Sequence, residues 1–172
     1  MRAFIAVDVP VNNEIKSVIE NLRNIDTSLK LVAEGSLHIT LAFLGEISES
    51  QKDEILQLLN EINHNTLFQA EMKGLEAISP QFLRVISVAI NSEELEKTRT
   101  ELVEKLNNLK IKADSHPAHL TLARTRTQLK KKELLQYIND NRNKSFGTFQ
   151  ISKLSLKKST LTPKGAIYKD LN

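Results

Sequence analysis

The segment LHITLAFL at residues 37–44 returns in outline as AHLTLAR at residues 118–124. Successive side chains of a strand point to opposite faces. His38, Thr40 and Ala42 therefore share one face, and Leu37, Ile39, Leu41 and Phe43 the other. In the second segment His119, Thr121 and Ala123 lie opposite Leu120 and Leu122. Each strand is expected to bury its aliphatic face under helices and to present an imidazole, a hydroxyl and a small Ala on the other. Packing alone has no use for histidine at the same register twice.

The two histidines are 119 − 38 = 81 residues apart, close to half of the 172-residue chain. The same offset lays Ile5 and Val7 on Ile86 and Val88, and Phe68-Gln69 on Phe149-Gln150. Element order repeats as well. Residues 2–9 read as a strand. Ile15, Val18, Ile19 and Leu22 form a helix stripe. Ser48 and Gln51 make a capping box before Ile55, Leu58, Leu59 and Ile62. Residues 66–78 are strand-like with an interruption at Gly74, and residues 82–90 form a strong strand. Ser92 then caps a helix with Leu95, Leu102, Val103, Leu106 and Leu109 inward. Thr127 opens a lysine-rich helix through Asn141. Residues 146–156 and 166–171 close the pattern as strands around a turn at Thr162, Pro163 and Gly165. This order predicts an α+β fold of two similar lobes, built by duplication, forming one unit over residues 1–172 without a linker.

Composition narrows the chemistry. Apolar residues make up 40% and charged residues 26%, which suits a packed globular chain. No apolar run reaches the roughly 18 residues of a membrane span. Residues 4–9 carry Asp8 and are too short for a signal peptide, so the chain is expected in the cytoplasm with no membrane partner. Cysteine is absent, which removes disulfides and thiolate nucleophiles. The five glycines form no phosphate-cradling loop. Net charge is +3, with the excess in the last third, from Arg124 and Arg126 through Lys157, Lys164 and Lys169. That distribution suggests an anionic partner such as nucleic acid.

Two imidazoles and two hydroxyls in one cleft suit displacement at phosphorus. Imidazole titrates near neutrality, so one ring can accept the proton of an attacking water while the other donates to the leaving oxygen. The Thr40 and Thr121 hydroxyls can hold the non-bridging oxygens. No cofactor is needed and no metal is expected. His116 and His119 are three apart, but Pro117 disfavours a helix between them. His64 reads as a surface residue at a helix end.

These residues carry a family resemblance. MRAFIAVDVP at the start, LHITLAFLGE at 37–46, AHLTLARTR at 118–126 and the stretch from Ser159 through Gly165 to Tyr168 resemble the two-histidine phosphoesterase superfamily. Within it, the likeness is to the RNA 2′,3′-cyclic phosphodiesterases, historically 2′-5′ RNA ligases. The resemblance implies a bilobal fold with an antiparallel sheet and helices in each lobe, a pseudo-twofold between lobes and the active cleft there. It implies hydrolysis of RNA 2′,3′-cyclic phosphate ends to 2′-phosphate ends, with reverse 2′-5′ ligation open to the same chemistry. His38 would protonate the leaving 3′-oxygen, His119 would take the proton from water, and Thr40 and Thr121 would hold the phosphate. The partner would be RNA with a cyclic phosphate end, bound by a monomer without an obligate protein partner.

Other readings stay open on the residues alone: a small cyclic phosphate or 2′-5′ oligonucleotide as substrate, or a non-catalytic RNA-binding module. Arg124 suits phosphate, yet simple alternation points it away from His119; either the strand bends there or Arg124 is structural. Phe43, 81 residues earlier, could stack on a terminal base or pack in the core. Where the family often carries an aromatic residue before the first motif, this chain has Leu31-Val32. The family's Pro before the second His is shifted by one, to Pro117.

Overall fold

The helices begin where the sequence supplies caps. In the computed structural model, which describes residues 1–163 and 165–171, the Asn12 side chain accepts from the Ile15 amide at 2.9 Å and opens α1 (Asn13–Ile25). Ser48 and Gln51 form the expected reciprocal box, at 3.2 and 3.0 Å, at the start of α2 (Glu49–Asn63). Ser92 caps α3 (Glu93–Asn108). The last helix departs from expectation. No side chain caps it, and α4 runs only over Lys131–Asp140, four residues later than Thr127. The α1 and α2 stripes are buried as expected, each large side chain gaining roughly 1.5–3 kcal/mol of transfer free energy. On α3, Leu95, Leu102 and Leu106 are buried, but Leu109 lies past the last turn and is 40% exposed. Among the described residues, no helix is long and apolar enough to cross a membrane.

Among the described residues, nine strands form one antiparallel array: β1 (Arg2–Asp8), β2 (Lys30–Leu31), β3 (His38–Glu46), β4 (Phe68–Ile78), β5 (Val85–Asn91), β6 (His119–Arg124), β7 (Ser145–Ile151), β8 (Ser155–Thr162) and β9 (Gly165–Asp170). Their order is β7-β4-β5-β6-β3-β1-β8-β9, with the short β2 also on β6. The two lobes are thus β3-β1-β8-β9 and β6-β5-β4-β7. They meet edge to edge, where Ile39 pairs with Leu120. A pseudo-twofold through that pair exchanges β3 with β6 and β1 with β5.

The duplication is real, but its boundary is not where the offset alone sets it. Residues 146–156 are not one strand. The chain breaks at 152–154, so β7 completes the second lobe on β4 while β8 crosses back to β1 in the first. Phe68-Gln69 and Phe149-Gln150 are therefore not equivalents. They sit on paired strands of one lobe, with Gln69 opposite Gln150.

Both motif strands carry the same irregularity. Against β1, the β3 register jumps from Ala42 to Thr40 and skips Leu41. Against β5, the β6 register jumps from Ala123 to Thr121 and skips Leu122. These are β-bulges, again 122 − 41 = 81 residues apart. All four residues, Leu41, Ala42, Leu122 and Ala123, are fully buried. With Ile39 and Leu120 they form the centre of one hydrophobic core beneath the sheet.

Another irregularity lies in β4, where the register skips past Gly74 at φ +87°. A Cβ there would run into the Arg142 carbonyl oxygen. Gly74→Ala is expected to lower the unfolding free energy by about 1–3 kcal/mol, measured by urea denaturation; an unchanged midpoint would refute the close approach.

Candidate active site

His38 and His119 open β3 and β6 on either side of the seam. Extending the antiparallel register one residue from the Ile39–Leu120 pair sets His38 beside Thr121 and Thr40 beside His119. The two imidazoles are diagonal neighbours, a relation that separates positions by about 7–8 Å. The lobes do not face one another across a gap; the cleft lies over the line where their edges join. A cleft of about 120 Å³ is lined by all six residues singled out in the sequence, His38, Thr40, Phe43, His119, Thr121 and Arg124, together with Val32, Ser36 and Tyr168.

The twin bulges explain Phe43 and Arg124. Because Leu41 and Ala42 are both turned to the core, alternation restarts one residue late and Phe43 emerges 46% exposed on the cleft side. Leu122 and Ala123 do the same for Arg124. The strand does bend, and Phe43 is not a core residue.

Each ring is pinned by one nitrogen. His38 Nδ1 lies 2.7 Å from the Ser36 carbonyl oxygen and His119 Nδ1 lies 2.9 Å from that of Pro117. A carbonyl only accepts, so Nδ1 carries the proton in both rings and Nε2 is left to exchange one. The repeat of this detail, donor two residues after acceptor, is a further trace of the duplication.

The surroundings then break the symmetry. Phe4 lies 5.1 Å from the His38 ring, and Tyr168 meets it edge-on at 5.0 Å and 81°. Burial in this box pushes His38 below the ordinary histidine value, helped by the Lys157 ammonium and by His119; the Ser36 carbonyl and the Asp8 carboxylate act the other way. Lys157 is nearly buried and bridges Asp8 at 2.9 Å and Asp170 at 2.5 Å. Burial works against its charge, but the hydrogen bonds to Asp170 and Asp8 outweigh it and hold Lys157 above the usual lysine value. Asp8, Lys157, Tyr168, Lys169 and Asp170 line a polar hollow of about 510 Å³ beside His38. On the other flank Arg2, Phe43, His116, Arg124 and Leu161 border a space of about 460 Å³.

Sequence reasoning singled out neither Tyr168 nor Lys157 for the site. The available signals were Asp8, which ends a first strand whose middle, Ala3 to Val7, is wholly apolar, and Lys157 next to Leu156 in another strand. The basic last third does not gather at the cleft as a whole. Arg124 lines it and Lys169 lines the adjoining hollow, whereas Lys130 and Lys144 pair with Glu133 and Glu14. Lys164 lies outside the described residues. His116 stands 3.6 Å from Asp114, and among the described residues no group of three His, Asp or Glu side chains is placed to hold a metal ion. His64 is exposed at the α2 terminus, with Nδ1 on the Asn60 carbonyl.

Residues 7–172 match the AKAP7 2′5′ RNA ligase-like domain. The chain belongs to this family. Curated relatives named RNA 2′,3′-cyclic phosphodiesterase include one from Archaeoglobus fulgidus, 35% identical over 99% of this chain and 98% of the relative. Another, from Methanocaldococcus jannaschii, is 35% identical over 98% and 96%. Among solved structures, TT0787 of Thermus thermophilus superposes with a TM-score of 0.76 at 24% identity, covering 100% of this chain and 96% of the other. E. coli LigT complexed with 3′-AMP gives 0.74 at 20% identity, over 99% and 95%. These two likenesses show the fold.

Lys157→Met removes the cation that lowers His38 and leaves the Asp8 carboxylate that raises it. Both effects favour the imidazolium. The His38 ring, followed by proton NMR, should titrate at higher pH in this variant than in the parent protein; an unchanged or lower titration would discount the Lys157 influence.

Proposed function

We propose that the protein hydrolyses RNA 2′,3′-cyclic phosphate ends to 2′-phosphate ends, without a metal, by acid–base catalysis between His38 and His119. The observation that carries this reading is the pair of Nε2 atoms, each freed by a carbonyl-bound Nδ1 and set diagonally over one small cleft.

In an in-line displacement the attacking water and the leaving 3′-oxygen lie on opposite sides of phosphorus. Nε2 of neutral His119 accepts a proton from the water as its oxygen bonds to phosphorus. Nε2 of protonated His38 gives a proton to the 3′-oxygen as the P–O3′ bond breaks, and the phosphate stays on O2′. Thr40 and Thr121 hydroxyls donate to the non-bridging oxygens. The Arg124 guanidinium adds charge-assisted donors to the phosphate, and Phe43 offers a stacking face to the terminal base. With a ribose 5′-hydroxyl in place of water, the same forward steps join ends through a 2′-5′ bond: O5′ bonds to phosphorus, His119 takes its proton, and the P–O3′ bond breaks with His38 protonating O3′.

His38 must be protonated for this role, yet its free ring is held below the ordinary value. The substrate supplies the remedy. A phosphate anion against Nε2 favours the imidazolium, so the proton arrives with the ligand. A nucleoside 2′-phosphate should therefore raise the pH at which His38 titrates by NMR; no shift on saturation would count against phosphate contact.

The protein is proposed to act as a monomeric bilobal domain in the cytoplasm. His38→Ala and His119→Ala should each lower turnover of a cyclic-phosphate RNA end by about 10²–10⁴-fold while remaining folded. The parent enzyme should keep its rate in EDTA and yield a 2′-phosphate by phosphorus NMR. Near-normal turnover in either variant, or restoration by zinc of a rate lost to chelation, would overturn the mechanism.

A further inference from the structure

The seam over which the reaction is proposed to occur is thinly held. Among the described residues, Ile39 and Leu120 are the one register pair between β3 and β6. Further along each strand, the edge is taken by the segment that leads into the other motif, crossing to the other lobe. On β6, Lys30 pairs with Arg124 and Leu31 with Ala123, and the Val32 amide donates to the Leu122 carbonyl at 2.9 Å. On β3, Phe43 and Asp114 exchange backbone hydrogen bonds of 2.7 and 2.9 Å.

At the bulge the two crossings differ. The Leu122 carbonyl is held by a backbone amide, but the Leu41 carbonyl accepts from a side chain, the Ser115 hydroxyl, at 2.7 Å. That hydroxyl accepts from Arg99 Nη1 at 2.9 Å. Arg99 also donates through Nε and Nη2 to Glu96 Oε2, at 2.7 and 2.6 Å. The other Glu96 oxygen, Oε1, accepts from the Ala118 amide at 2.9 Å. Ala118 directly precedes His119. One polar chain, anchored on α3, thus runs from the bulged backbone of the first motif to the backbone beside the second histidine. The planar guanidinium fixes the geometry of its middle link. Arg99 is one-fifth exposed, and none of Glu96, Arg99 or Ser115 lines the cleft.

We propose that Ser115, held by Arg99 and Glu96, is a positioning residue that sets the spacing between His38 and His119. The proposal rests on the two-histidine reading above. It follows from what the seam lacks: with one register pair between the motif strands, the distance between the two Nε2 atoms depends on what ties the strands together from behind. Misplacement of a catalytic group by about 1 Å can lower a rate by about 10²-fold. A loss of register at the Leu41 bulge would do so without removing any group that touches the substrate.

Ser115→Ala deletes the central hydroxyl and leaves the backbone bonds of Asp114 intact. It should lower kcat by about tenfold or more, leave KM within about twofold and keep the thermal midpoint close to that of the parent. Ser115→Thr, which keeps a hydroxyl, should recover most of the rate. Arg99→Met should also lower kcat, and the double variant should be no slower than the slower single one, as expected of groups that act as a unit. A Ser115→Ala enzyme with the parent kcat, a loss that vanishes once activity is scaled to the folded fraction, or strictly multiplicative losses in the double variant would overturn the proposal. Parent-like rates in His38→Ala and His119→Ala would instead bring down the underlying mechanism, a result that does not depend on Ser115.

Discussion

Two adjacent buried residues in each motif strand, Leu41-Ala42 and Leu122-Ala123, govern what stands over the seam. A strand that alternated strictly would turn Phe43 and Arg124 down among the helices. Burying an unpaired guanidinium there would be strongly unfavourable. By giving two successive positions to the core, each strand changes phase midway. Its first half then offers His and Thr, and its second half an aromatic or cationic side chain, all to the same side. The skipped residue also bends the strand, and the leaders that cross between lobes pair with the same strands, Leu31 with Ala123 and Asp114 with Phe43.

The backbone is nearly two-fold while the chemistry is not. Both rings are locked in the same tautomer by a carbonyl two residues upstream, so both expose Nε2. Only His38 is enclosed by Phe4 and Tyr168, and only His38 has a buried ammonium behind it. Duplication supplied two equivalent imidazoles, and the strands that flank β3 made them unequal. A displacement that needs one proton donor and one acceptor benefits from that inequality, because environments rather than residue types assign acid and base roles.

Much of this was legible from residue order. Period-2 alternation and the 81-residue offset located both motif strands, and the Ser48–Gln51 pair located a helix start to the residue. The misses share a cause. Residues 146–156 read as one strand because apolar side chains continue on both sides of 152–154; the phase changes between Ile151 and Leu154, three residues apart, but nothing local says that the partners change from β4 to β1 there. The sequence opens the last helix at Thr127, yet tertiary contacts hold that stretch elsewhere: the Thr125 hydroxyl and the Gln128 side-chain amide both donate to the Leu83 carbonyl. Arg124 could not be oriented, since a bulge is a property of a pair of strands and leaves no mark in either one. Tyr168 and Lys157 came to the site from the far end of the chain through sheet pairing, a long-range relation that spacing does not encode.

The crossing at residues 152–154 has a consequence for how the protein comes into being. β1 in one lobe and β4 in the other are each closed on the outer side by a strand from the C-terminal stretch, β8 for β1 and β7 for β4. A nascent chain that has reached only α4 has both motif strands, all four helices and neither lobe finished; two rows of unpaired backbone amides and carbonyls stand open at once. Such edges recruit foreign strands. The two halves that duplication made alike are thus not independent folding units, and the interval before β7 and β8 dock is the one in which this chain is most exposed to pairing with the wrong partner.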